Sequence, residues 1–133
     1  MGQQQLLLII LRVIVVGIAV VVGITMFQDN AISANRDAVT NDLVNLGARA
    51  QQYYRRPIAL GGGGNSFNNI TMGDLAGPVT GTSWVNPNGT YNIASSDSAQ
   101  VTLQGLGVER SGGSPVEVSC RITSDSLVTT VVN

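Results

Sequence analysis

The chain has 133 residues, 13.8 kDa, a formal net charge of -1 and a pI near 5.0, which leaves room for one ordinary domain and an appendage but not for two cores. Charged residues make up only 11%, against about 25% in a typical soluble domain, and this near-neutral balance gives no electrostatic grip on nucleic acid. All seven basic residues are Arg and there is no His, so catalysis by imidazole is excluded, and the single Cys120 can form no intrachain disulfide and has no imidazole to activate it.

Much of the apolar content lies in "LLLIILRVIVVGIAVVVGITMF", residues 6–27. As a helix this stretch is about 33 Å long, which matches a hydrocarbon core of about 30 Å. The preceding MGQQQ carries no positive charge. The run exceeds the roughly 7 to 15 residues of a signal peptide and no A-x-A site follows, so the segment reads as one kept in the working protein.

Arg12 lies six residues into that run, about 9 Å from its start. There it can snorkel to headgroups, at less than the roughly 2.5 to 3.5 kcal/mol of a central Arg, and it favours a cytoplasmic N-terminus. Two readings stay open for it. It is a snorkelling charge with no further role, or it finds a partner when copies associate: Asp29 of another chain, since no acid precedes that residue, the cluster Gln3 to Gln5, or carbonyls released near Gly17.

Residues 28–57 change composition but keep a helical period. Ile32, Val39, Leu43, Leu46, Ala50 and Tyr53 form an apolar stripe, and Asp29, Arg36, Asp37, Asp42 and Arg49 fall off it. The charges are acidic early and basic late, as the helix dipole favours, and Pro57 supplies a stop. No turn cluster follows Phe27, so one helix is expected over about residues 3–56, roughly 80 Å long. Its second half is expected to pack on a domain and its first half to protrude.

Residues 57–89 are rich in Gly and Asn and read as connecting loop with at most one short strand, the run Gly61 to Gly64 as a flexible connector, and Asn86-Pro87-Asn88-Gly89 as a turn. Beyond residue 90, "TYNIAS", "AQVTLQGLGVER", "SPVEVSCRITS" and "SLVTTVVN" show alternation and β-branched enrichment between short polar breaks. They predict an antiparallel sheet of about four strands over residues 90–133, with one apolar face for the stripe to cover. Cys120 is expected as a small buried residue of that sheet.

Asp74, Asp97, Glu109, Glu117 and Asp125 are scattered and show no metal-ligand or acid-base spacing. No catalytic residue, cofactor or metal site is expected, and the chain does not read as an enzyme. The sequons at Asn69 and Asn88 read as chance occurrences in an Asn-rich chain.

The short polar N-terminus, the apolar helix, its amphipathic extension ending in "AQQYYRRP", the glycine-rich connector and the C-terminal sheet resemble the bacterial type IV pilins and the pseudopilins of type II secretion. That resemblance implies an α+β fold in which a long N-terminal helix packs on an antiparallel sheet. It also implies a subunit held in the inner membrane, extracted by pilus assembly machinery and packed with identical copies, so that the helices form the core of a helical filament on the cell surface. Gln5, Arg12, Gly17, Gly23 and Asp29 would then serve assembly, while Ile32, Val39, Leu43, Leu46, Ala50 and Tyr53 pack the helix on the sheet.

Where that family usually carries a glutamate at the fifth residue, this chain has Gln5, or Leu7 if it is cut after Gly2, and neither is a carboxylate. Gly17 and Gly23 each weaken a helix by about 1 kcal/mol relative to Ala, and the resemblance implies that residues 15–24 lose helicity on assembly. Two alternatives remain: a short periplasmic pseudopilus, and a single-pass anchored binding module.

Overall fold

In a computed structural model that describes residues 2–79 and 81–133, one helix, α1 (Gly2–Arg55), runs without interruption through both glycines of the apolar segment. It is followed by a 3-10 turn (Ile58–Leu60), a short helix α2 (Met72–Ala76) and strands β1 (Ser83–Asn86), β2 (Gly89–Ser96), β3 (Gln100–Ser111), β4 (Ser114–Thr123) and β5 (Leu127–Val131). The strands form one antiparallel sheet in sequence order. The architecture is the expected α+β one, a protruding apolar helix whose amphipathic half packs on an antiparallel sheet.

Alternation along the strands builds the core. Tyr91 of β2, Val101 and Leu103 of β3, and Val116, Val118, Cys120 and Ile122 of β4 are fully buried on one face. Val39, Leu43, Leu46, Ala50 and Tyr53 of α1 lie buried against them, with Leu127 of β5 packed at the margin. Ile32, the first residue of the stripe, is only half-buried because it lies where the helix leaves the sheet.

The inward row of β3 tapers from Val101 and Leu103 to Gly105 and Gly107. A Cβ on Gly105 would stand 2.7 Å from Val39, and one on Gly107 would stand 2.0 Å from Asn35 Oδ1. The two glycines therefore let α1 pass close to the sheet where its polar residues begin.

The connecting segment differs from expectation. It adds four buried side chains, Phe67, Ile70, Met72 and Leu75, to the core, and the Tyr54 and Phe67 rings lie 4.8 Å apart. α2 is held by a reciprocal cap, in which Thr71 Oγ1 accepts from the Asp74 amide and the Asp74 carboxylate accepts from the Thr71 amide.

The run Gly61 to Gly64 is a built turn, not a flexible connector. The amides of Gly63, Gly64 and Asn65 donate to the carbonyls of Tyr53, Arg56 and Tyr54, closing the end of α1. A Cβ on Gly62 or Gly63 would stand 2.3 or 2.0 Å from a backbone oxygen, so the turn needs glycine for close approach. The sheet begins at Ser83, seven residues before the expected start at residue 90, and has five strands instead of about four.

Leu43 is fully buried between helix and sheet, whereas its neighbour Val44 is 40% exposed. Leu43→Ala is expected to cost about 2 to 5 kcal/mol, and Val44→Ala about 0.5 kcal/mol or less. Denaturant unfolding of the full chain in detergent, followed by Trp84 fluorescence, measures both.

Candidate assembly surface

The first half of α1, hereafter the stem, leaves the sheet and touches nothing else among the described residues. From Leu6 to Phe27 seventeen large apolar side chains are each 51 to 78% exposed, and this half is long and apolar enough to cross a membrane. At about 1.5 to 3 kcal/mol per buried side chain, exposing this surface to water is unfavourable by tens of kcal/mol. It exceeds by far the apolar patch of a few hundred Å² that a soluble monomer carries, and it is a surface suited to lipid or to other apolar chains.

Gln5, Arg12, Gly17, Gly23 and Asp29 all lie on the stem, spread along its length, and the fold brings no two of them together. Among the described residues, nothing beyond the adjacent turns of the helix itself stands within 4 Å of where a Cβ on Gly17 or Gly23 would sit. Packing within the subunit therefore does not require these glycines. Thr25 is satisfied locally, its Oγ1 donating to the Val21 carbonyl at 3.0 Å.

Polar side chains fix the angle at which the stem leaves the head. Asn35, 8% exposed, donates from Nδ2 to the Asn88 carbonyl at 2.9 Å and accepts from the Glu109 amide at 3.2 Å. The Glu109 amide is available because the register of β3 on β4 shifts between Leu106 and Arg110. Arg36 donates to the Asn133 carbonyl and to Ser111 Oγ at 3.2 and 3.4 Å.

Two turns further along, Asp42 Oδ2 accepts three hydrogen bonds: from Asn86 Nδ2 and Asn88 Nδ2 at 2.9 Å each, and from the Tyr91 hydroxyl at 2.5 Å. Asn86 Oδ1 accepts from the amides of Asn88 and Gly89, which shapes the expected Asn86-Pro87-Asn88-Gly89 turn. Burial raises the Asp42 carboxyl, but the hydrogen bonds from Tyr91, Asn88 and Asn86 outweigh it and hold the group below its ordinary 3.8. Burial, together with the hydrogen bond to and the charge of Asp42, pushes the Tyr91 hydroxyl up. Further along still, Arg49 donates to the Leu75 carbonyl, Gln51 to those of Thr123 and Ser126, and Arg55 to that of Ser124.

The sequence pattern places Arg36, Asp42 and Arg49 merely off the apolar stripe; in the fold Arg36 and Asp42 clasp the rims of the sheet and Arg49 clasps α2. It does not single out Asn35 or Tyr91. The available signal was a turn sequence rich in side-chain amides facing a helix that carries Asn35 and Asp42 seven residues apart.

Two further acids have local roles. Asp97 Oδ1 accepts from the amides of Ala99 and Gln100 in the β2–β3 turn, and Glu117 accepts from Gln104. Cys120 is fully buried, which pushes its thiol up to about 11. Among the described residues no three His, Cys, Asp or Glu side chains gather to hold a metal ion. Comparison with family models, curated proteins and solved structures gave no match.

Removing the Asp42 carboxylate leaves the buried Tyr91 hydroxyl without its acceptor. Asp42→Ala is expected to cost about 1 to 3 kcal/mol, and a double-mutant cycle with Tyr91→Phe to recover most of it as coupling. Because the folded carboxyl titrates below 3.8, its contribution is complete above that pH and is lost as pH falls through the folded value. The stability difference between wild type and Asp42→Asn is therefore expected to be constant near neutrality and to shrink only in strong acid, as followed by denaturant unfolding at a series of pH values.

Proposed function

We propose that this chain is the structural subunit of a type IV pilus-like helical filament. It is parked by its stem in the bacterial inner membrane with the N-terminus cytoplasmic, and is then packed so that the stems form the filament core and the heads its surface. The observation that carries this reading is the unbroken helix: the same α1 that exposes seventeen large apolar side chains is also the helix buried in the head. Stem and head are thus a single rigid piece.

A mere tether needs no such coupling, because a flexible linker after Phe27 would hold a binding module equally well. A polymer does need it, since each head must be placed by the packing of its stem. The stem suits either of two environments in turn, because an all-apolar surface rich in Val and Ile packs against lipid or against other copies.

Shearing filaments from cells and identifying their subunits by mass spectrometry tests the proposal. This chain is expected to dominate them, and its recovery only as a membrane monomer would refute it. Arg12→Leu separates the tether reading: a tether inserts at least as well without the charge, whereas filament yield is expected to drop.

A further inference from the structure

The charges on α1 fall into two groups. Arg36, Asp42, Arg49 and Arg55 are hydrogen-bonded to the head. Arg12, Asp29 and Asp37 are exposed and make no hydrogen bond among the described residues. Arg12 is the one charge between Gly2 and Gln28. The continuous helix holds it 17 residues from Asp29, a rise of about 25 Å, a spacing that holds in a filament only if residues 15–24 stay helical on assembly, against what the pilin resemblance implies.

Resting on the filament reading, we infer that Arg12 of one copy pairs with Asp29 of a second, the two stems lying parallel and displaced along their axes by about 25 Å. Once lipid or water is replaced by other stems, a guanidinium on this surface is strongly unfavourable unless a carboxylate and further acceptors meet it. Asp29 lies between Gln28 and Asn30, both exposed. A carboxylate can take two of the five guanidinium N–H groups, and these amide oxygens can take others.

The other candidates fit less well. Gln3 to Gln5 carry no charge to neutralise the Arg. Asp37 lies 25 residues from Arg12, a shift of about 37 Å that exceeds the roughly 33 Å of the apolar run, so the two runs would no longer overlap. Asp37 also lies alongside the head, beyond the first buried residue, Asn35. Asp29 lies before it, on the stem, where a second stem can approach without meeting the sheet.

Mixed cysteine cross-linking tests the pairing in the full chain. One version carries Arg12→Cys and the other Asp29→Cys, both with Cys120→Ala, and each keeps the opposite member of the charge pair. The two versions are co-expressed, assembled and oxidised. A disulfide-linked heterodimer is expected as the main oxidised product, with loss of that product when Asp37→Cys replaces Asp29→Cys.

Filaments that form but give no heterodimer with Asp29→Cys, or give more with Asp37→Cys, overturn the pairing while leaving the filament reading intact. If the wild-type chain, sheared and identified in parallel, forms no filament, the filament reading fails and the pairing with it.

Discussion

The structure depends on one constraint: α1 passes from its exposed apolar stem into the head without a break. Pro57 is the first proline in the chain, so nothing before it interrupts the helix. The one glycine of the buried half, Gly47, faces the sheet, where a Cβ would stand 2.3 Å from the end of the Leu127 side chain. Its smallness lets helix and sheet approach; it does not act as a hinge. At the other end, Gly63, Gly64 and Asn65 close the helix by binding its last carbonyls. The direction of the stem is therefore fixed by the packing of the head.

Apolar packing alone would hold the helix to the sheet without fixing where along the sheet it lies. Val39, Leu43, Leu46 and Ala50 present a stripe that repeats about every turn, and a slide of about 5.4 Å would bring a similar stripe into place. The polar contacts do not tolerate such a slide. Asn35 needs the Asn88 carbonyl and the Glu109 amide, and Asp42 needs Asn86, Asn88 and Tyr91. Shifting the helix by a turn would leave these groups partly buried without partners, at about 1 to 3 kcal/mol or more each. The hydrogen bonds thus add register to an interface whose affinity comes from apolar burial.

Much of this was legible in the sequence, and what was not shares a physical cause. The long helix and the strands after residue 90 were readable because their periods are local properties of the chain. β1 was readable only as the one short strand allowed in the connecting segment, because "SWVN" is short and sits among turn residues, and α2 was obscured because its cap, Thr71 with Asp74, encloses only five residues. The glycine run resembled a linker because its role lies in distances to Arg56 and Ser66 backbone atoms. Asn35 lay within the stripe, but its partners are 53 and 74 residues away. The stem is the reverse case, fully legible as a surface because none of the other described residues covers it.

The same logic applies to the stem, with the proportions changed. Its rows of Val, Ile and Leu are nearly interchangeable, so in the proposed filament stem against stem would have many registers of similar energy. A single charge separates them, because a register that leaves it among apolar side chains is penalised by several kcal/mol and one that meets a carboxylate is not. A lone polar residue in an apolar coiled-coil seam fixes register in this way, at some cost in stability. On this argument the charge that makes residues 6–27 a poorer membrane span makes them a better ruler. In the proposed filament one Arg would suffice, because the continuous helix would carry its choice to the head.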